Sequence, residues 1–289
     1  MESADLRVFQ AVAREGSITK AALLLGYVQS NVTARIRHLE TELGTVLFHR
    51  HHRGITLSSS GKMLLTYADK IVGLLDEAAQ ALTPSSEPSG PLLIGSTQTT
   101  AAVRLPTLLG NYYEQYPKVT LSLITDLSER LIEKVLQYDL DVAFINNPCN
   151  HPDLQAIPAF HEEVVLVSAP WITELEEALT KPNLVYSKGC PYRETLEQWL
   201  HSRGTSHPNI MEFGTLEAII SGVSAGLGIS LLPRVVIQTQ EKLGALRVHE
   251  VPEAIRYRQT MIIIRRNSYA TSALRAFIQL FEAEEEVYS

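Results

Sequence analysis

Residues 17–61, SITKAALLLGYVQSNVTARIRHLETELGTVLFHRHHRGITLSSSG, constrain this chain more than any other stretch, because they describe two short helices meeting at a glycine and then a basic hairpin. In the first helix Ala21, Ala22, Leu24 and Leu25 supply a small apolar inner face. Gly26 stops it, since glycine tolerates the left-handed conformation of a tight turn. From Gln29 to Leu43 the apolar residues Val32, Ile36, Leu39 and Leu43 recur at helical spacing, which predicts a second helix with one stripe packed inward. Gln29, Ser30, Asn31, Thr33, Arg35 and Arg37 are left to face outward. Hydrogen-bonding side chains along a helix that fits a major groove are what a recognition helix requires.

Most amphipathic helices of this composition are only solvated faces, and the segment after this one argues against that reading here. Phe48 to Leu57, FHRHHRGITL, places short apolar strands on either side of a positively charged turn containing glycine. That is the pattern of a β-hairpin wing, with Arg50 or Arg53 placed to reach phosphates or a minor groove. The charge distribution agrees. Residues 1–62 hold 8 Lys or Arg against 5 Asp or Glu, and with the whole chain at −7 the remainder carries −10. A basic end on an acidic body suits a protein that docks on nucleic acid with one domain only.

The stretch from Phe9 through Leu64 resembles the amino-terminal signature of the LysR-type transcriptional regulators: F-x-A-V-A-x-E-G-S-I-T-K-A-A, then Q-S-N-V-T-A-R-I-R-x-L-E-x-E-L-G-x-x-L-F-x-R, then G-I-x-L-S. The resemblance is long and ungapped. It implies DNA contacts at Gln29, Ser30 and Thr33 and at the wing residues Arg50 and Arg53. Ser30 stands where many members have proline and Ala34 where they have arginine, so the base-reading role of that arginine either passes to Arg35 or is absent. The resemblance further implies an α/β chain in three parts. A winged helix-turn-helix would occupy 1–60, a dimerising linker helix and hinge 61–90, and an effector-binding domain 91–289. That last domain would resemble periplasmic binding proteins, with lobe one about 91–161 and 266–289 and lobe two about 162–265. The partners implied are double-stranded promoter DNA, a small-molecule effector, RNA polymerase and further copies of the chain as a homodimer or homotetramer.

Composition agrees with a soluble, cytoplasmic protein of more than one domain: 289 residues, 45% of them hydrophobic, support more than one buried core. The start, MESADLRVFQ, lacks the apolar core of a signal peptide, and no apolar run approaches membrane-spanning length. Two cysteines, Cys149 and Cys190, make neither a disulfide framework nor a metal cluster. Between Gly61 and Leu82 the residues Leu64, Ala68, Ile71, Leu75, Ala78 and Leu82 alternate in steps of four and three, a heptad seam. A second copy covers such a seam economically; packing on the same chain is the alternative. Residues 83–91, TPSSEPSGP, read as a hinge.

Beyond the hinge, strands alternate with helices. Strands are expected at Pro91 to Gly95, Val119 to Ile124 and Asp141 to Ile145, with helices at Val103 to Tyr116 and Leu127 to Gln137. A second such unit has strands at Glu163 to Ser168, Leu184 to Tyr186, Asn209 to Glu212 and Gly228 to Leu231, and helices near Arg193 to Leu200 and Thr215 to Ser224. A strand at Thr260 to Ile264 precedes a terminal helix, and GLGISLLP at 226–233 carries the resemblance into this region, which implies crossover strands near Ala156 to Glu162 and near Arg265.

Ligands of open α/β sheets sit beyond the carboxyl ends of strands. There the chain has Ser96, Thr97, Gln98, Thr99 and Thr100 ahead of a helix, more hydroxyls than one helix cap uses. The resemblance implies an effector site at this strand end, which makes Ser96, Thr97 and Thr99 candidates with Thr100 in the same patch, and it carries over Lys188, Gly189 and Thr215 from the facing lobe. Cys190 beside Lys188 and Arg193 allows a thiol redox switch as a competing reading. An enzyme or solute-binding domain fused to a DNA anchor is a third, but there is no GxSxG elbow, phosphate loop or dinucleotide fingerprint, so no catalytic residue is assigned. The nine histidines show no zinc spacing. No metal site and no cofactor are expected.

Overall fold

Helix α1 (Ser3–Glu15) is the hub of the amino-terminal part of the chain, since it places Leu6, Phe9 and Val12 on one buried face. Around it pack α2 (Ile18–Leu25), α3 (Gln29–Leu43), the antiparallel strands β1 (Phe48–His51) and β2 (Gly54–Leu57), and the long helix α4 (Ser59–Ala81). In this computed structural model these elements form one compact unit, Met1–Pro84, and Ser85–Ser289 forms a second. The structure describes residues 1–51, 54–81, 87–266 and 270–288, without the side chains of Arg50, Glu77, Gln80, Ala81 and 283–288.

Local chemistry explains the joints of the first unit. Gly16, Gly26 and Gly44 end the first three helices in the left-handed conformation, and the Ser17 hydroxyl caps α2 by accepting from the Lys20 N–H. Helix α3 buries Val32, Ile36 and Leu39 as its spacing predicts. Two expected inward residues point out instead: Leu24 is 67% exposed and Leu43 is exposed as well. Each sits within two residues of a helix-ending glycine, and in α2 it is the adjacent Leu25, not Leu24, that packs against the core. The heptad seam also divides. Leu64 and Ala68 turn inward with Val72 onto the α1 cluster, while Ile71, Leu75 and Ala78 stay outside; Leu82 lies beyond the described residues. Asp69, on the inner face, accepts a hydrogen bond from Gln10 Nε2 at 2.6 Å, which holds α4 to α1. The outer stripe gains Met63, Tyr67 and Leu74, which periodicity does not single out.

The second unit runs β3 (Gly90–Ser96), α5 (Gln98–Val103), α6 (Leu105–Gln115), β4 (Val119–Thr125), α7 (Ser128–Leu136), β5 (Val142–Ile145) and then β6 (Leu154–Ser168). It continues α8 (Leu175–Ala178), β7 (Asn183–Val185), α9 (Pro191–Ser202), β8 (Ile210–Glu212), α10 (Leu216–Ser224) and β9 (Ser230–Pro233). A 3₁₀ turn (Arg234–Ile237), α11 (Gln238–Lys242), β10 (Arg247–His249), α12 (Glu253–Arg256), β11 (Tyr257–Arg265) and α13 (Ser272–Tyr288) complete it. The expected helix Val103 to Tyr116 is broken at Arg104, because Pro106 follows and cannot donate within a helix. Residues 83–86 of the expected hinge lie outside those described, and its last two, Gly90 and Pro91, already belong to β3.

Lobe one centres on β3, which lies parallel to β4 on one side and β5 on the other, and β11 adds antiparallel to β5. Lobe two is not a repeat of that pattern: β9 and β10 flank β6 antiparallel, and only β7 and β8 pair in parallel. The lobes are joined by β6 and β11, antiparallel partners from Leu154↔Arg265 to Glu163↔Tyr257. Met261 to Ile264 already pair with β5, so the return to lobe one comes near Thr260, where the register shifts, and not at Arg265. The connection is therefore two hydrogen-bonded strands side by side in one sheet.

One buried imidazole in lobe two makes the stability of that lobe depend on pH. The His249 Nε2 lies 2.7 Å from the Ser168 hydroxyl, and burial, helped by Arg247, holds this imidazole below its ordinary pKa of 6.5. The unfolded chain therefore takes up the proton more readily, so stability is full above about pH 6.5 and is lost as pH falls toward the depressed folded value. A His249→Gln variant is expected to show a shallower decline in melting temperature between about pH 7 and 5. Identical slopes in both proteins would exclude His249 as the titrating group.

Candidate functional site

Two surfaces qualify, one on each unit. On the first, α3 buries one stripe and leaves Gln29, Ser30, Asn31 and Arg37 exposed, with Thr33 half-buried. Thr33 donates its hydroxyl proton to the Gln29 carbonyl at 2.9 Å, so toward an external partner it offers an acceptor and a methyl. Arg35 is committed inward: Nη1 donates to the buried Asp5 at 2.7 Å and Nε to Asn31 Oδ1 at 3.2 Å. It braces α3 against α1 and keeps Asn31 oriented. Sequence spacing puts Arg35 on the outward face, and the carboxylate that turns it lies 30 residues away.

The wing strands pair with Phe48 opposite Leu57 and His51 opposite Gly54; Arg53 and the side chain of Arg50, the expected phosphate contacts, lie outside the described residues. Its base is well tied. Glu40 on α3 accepts from the Leu47 N–H at 2.8 Å and the Phe48 N–H at 3.3 Å, and the Ile55 N–H donates to the Gly16 carbonyl. The strands are thereby fixed relative to the helix surface.

The second surface is a cleft of about 330 Å³ between the lobes of the second unit. Lobe one contributes Thr97 and Thr99 from the β3 end, Thr125 to Ser128 from the β4 end, Arg130, and Asn146 just past β5; lobe two contributes Tyr186, Ser187, Cys190 to Tyr192 and Gly214. Of the expected residues, Thr97 and Thr99 line it. Ser96 is fully buried with its hydroxyl donating to the Thr97 carbonyl, and Thr100 sits behind Thr97 at 3.1 Å between hydroxyl oxygens. Lys188, Gly189 and Thr215 are not on the lining; their neighbours Ser187, Cys190 and Gly214 are. Thr215 caps α10 by accepting from the Ala218 N–H at 3.2 Å, and Lys188 is exposed.

The centre of the cleft floor is Asn146. Its Oδ1 lies 3.3 Å from Thr97 Oγ1, 3.4 Å from Thr100 Oγ1 and 3.1 Å from Thr260 Oγ1, and its Nδ2 donates to the Tyr192 hydroxyl at 3.0 Å. One buried amide thus joins lobe one, the crossover strand β11 and lobe two. Spacing does not single it out, since the asparagines of Asn146-Asn147-Pro148 after a strand read as ordinary turn residues. The lining is largely uncharged: Asp126 and Arg130 are its charged residues, and they face each other at 3.5 Å. Tyr186 presents a buried hydroxyl with no hydrogen-bond partner among the described residues. Cys190 is a poor redox candidate. Burial pushes its thiol pKa up and outweighs the lowering by the Arg193 and Tyr192 backbone N–H groups and the Arg193 charge.

Comparison with known proteins matches both units. Residues 3–62 match the family described as bacterial regulatory helix-turn-helix protein, lysR family, and residues 85–285 match the LysR substrate binding domain. The chain belongs to the LysR-type transcriptional regulators. It is 64% identical over 281 residues to the uncharacterized HTH-type transcriptional regulator YusT of Bacillus subtilis, covering 97% of this chain and 95% of that one. To the HTH-type transcriptional regulator GltR of the same organism it is 49% identical, covering 94% and 93%. Among solved structures, a full-length OxyR variant from Pseudomonas aeruginosa has a TM-score of 0.78 at 21% identity, covering 98% of this chain and 94% of that one. Full-length CbnR in complex with its target DNA has a TM-score of 0.68 at 21% identity, covering 98% and 99%. These likenesses establish the fold of the regulator. The family and these relatives are DNA-binding transcriptional regulators with an effector-binding domain, not enzymes.

Proposed function

We propose that the regulator reads promoter DNA with α3 and the wing, pairs through the outer stripe of α4 as a homodimer or homotetramer, and responds to a small carboxylate held between its lobes. The observation that carries the ligand class is the Tyr186 hydroxyl, buried on the cleft wall with no partner among the described residues. An orphaned buried donor costs about 1–3 kcal/mol, which an acceptor arriving in the cleft would recover. The surroundings favour the same chemistry. Thr97, Thr99, Ser128 and Ser187 add hydroxyls to the lining. Helices α7 and α9 begin there, and neither has a side-chain cap on its free N–H groups. With Arg130 already paired to Asp126, a single negative charge fits better than two. The regulator would work in the cytoplasm, where it meets promoter DNA and RNA polymerase; among the described residues no helix is long and apolar enough to cross a membrane.

The effector acts only to the extent that it prefers one arrangement of the lobes, and Asn146 is placed to report on that arrangement. A thermal-shift screen of small monocarboxylates should yield a ligand whose stabilisation rises with concentration. Tyr186→Phe and Thr97→Val should each weaken it about tenfold, the worth of one hydrogen bond to a charged acceptor. Tyr186→Phe should not lower the melting temperature of the free protein, because its hydroxyl has no partner to lose. A ligand that regulates transcription and binds both variants as tightly as the parent would place the site elsewhere.

A further inference from the structure

Among the described residues Asp126 is the sole carboxylate on the wall of the cleft. Its place is fixed by the ends of two strands. β3 and β4 run parallel with Ser96 opposite Thr125, and the next residue, Asp126, donates its N–H to the Ser96 carbonyl at 3.2 Å. Its Oδ1 accepts from the Leu127 N–H at 2.9 Å and lies 3.5 Å from Arg130. Both contacts fall on one oxygen. Oδ2 has no hydrogen-bond partner among the described residues, although the side chain is only 20% exposed. Arg130 screens little of the charge, because its guanidinium is 69% exposed and water competes for it. A half-buried carboxylate with an open oxygen, on the wall of a ligand cavity, is a place for a cation.

The other wall of the cleft offers the opposite chemistry. Lobe two contributes no charged side chain to the lining, and its Tyr186 hydroxyl is the donor without an acceptor. A ligand that brings only a carboxylate to Tyr186 puts two negative charges into one space of about 330 Å³, where they repel. A cation on the same ligand turns that repulsion into attraction. We propose that the effector is an α-amino acid, its carboxylate held by Tyr186 of lobe two and its ammonium by Asp126 of lobe one. This rests on the reading of the cleft as a monocarboxylate site and narrows it. The cleft lies at the small end of ligand pockets, so the two ligand charges must be close together, as they are on one α-carbon. An ammonium has three donors, and the hydroxyl oxygens of Thr97 and Ser128, on the same wall as Asp126, are acceptors for the others. Because the two charges engage different lobes, binding favours the arrangement that brings both walls within reach.

The test uses the full chain. The proteinogenic L-amino acids are each titrated by calorimetry beside the counterpart that lacks the amine, L-valine beside isovalerate for example, at fixed pH and ionic strength. One or more amino acids should bind at least about tenfold more tightly than the counterpart, the worth of a hydrogen bond between charged groups. Asp126→Asn keeps the shape and an oxygen for the Leu127 N–H but removes the charge. It should erase that preference while the counterpart binds no more weakly than to the parent, and its melting temperature without ligand shows whether the fold is kept. Tyr186→Phe should weaken both members of the pair. If carboxylates bind and no amino acid binds more tightly than its counterpart, the ammonium site is overturned and the carboxylate reading stands. If Asp126→Asn retains the full preference, the assignment to Asp126 fails. If no member of any pair binds, the carboxylate reading fails and this inference with it.

Discussion

Replacement of Gly61 by alanine is expected to abolish operator binding while leaving the second unit folded. Gly61 lies in the first turn of α4, where a Cβ would stand 2.1 Å from the Leu47 carbonyl oxygen and 3.0 Å from Leu57 Cδ2. The obstacle is backbone, so it cannot swing aside. Ser58 fixes the geometry: its hydroxyl accepts from the Gly61 N–H at 2.9 Å and donates to the Val46 carbonyl at 2.6 Å, while its own N–H donates to the Leu47 carbonyl at 2.9 Å. Making room would part α4 from the segment leading into the wing and disturb the Glu40 contacts to Leu47 and Phe48. Overpacking of this kind costs about 1–3 kcal/mol or more, a large share of the stability of a small domain. Calorimetry should show the transition of the first unit lowered and that of the second unchanged, since each has its own core. Wild-type melting and wild-type operator affinity in Gly61→Ala would show that this contact imposes no constraint.

A pair of charges on the outer face of α4 is expected to be nearly as damaging, by a different route. Met63 and Tyr67 are 67% and 60% exposed in the single chain, and Ile71, Leu74 and Leu75 continue the stripe over three turns. Contiguous apolar surface on a long helix marks an interface. A second copy also supplies a second recognition helix, and linking two half-site contacts raises affinity by roughly 10²–10⁴-fold without any new contact to DNA. Tyr67→Glu with Leu74→Glu should therefore shift sedimentation to the smaller species and weaken operator binding by about that factor. Neither residue belongs to the buried cluster of the first unit, so its melting should change little. A parent protein that sediments as a monomer yet protects two half-sites would defeat the proposal.

Helix α3 was legible to the residue, Gln29–Leu43, because a buried stripe at helical spacing ends at a glycine. The wing was legible because apolar strands flank a charged glycine turn. Leu24 and Leu43 were misplaced because periodicity says which side a residue faces and not how far along a helix its neighbours extend. In α4 the heptad pattern was real, but apolar residues cover both an inner face toward α1 and an outer stripe. Spacing alone merged the two.

The cleft shows the same division. Thr97 and Thr99 could be named because their chemistry and their place after a strand are both local. Asn146, Tyr186 and Tyr192 could not, because each is ordinary where it stands and matters only once strands far apart in sequence end at the same point. On the lobe-two side the expectation missed by one residue, since the turn after a strand decides whether Ser187 or Lys188 faces inward. Arg35 and Cys190 differ most from their sequence reading: one is turned inward by Asp5, and the other is left with a thiol pKa that burial raises despite Arg193 beside it. By itself, then, the sequence determined the elements, their buried stripes, their caps and the resemblance to a family, all of which depend on neighbours within a turn or a strand. The tertiary structure alone decided which side chains converge, which charges are already neutralised and which polar groups remain unsatisfied, because those properties belong to pairs of residues brought together only by folding.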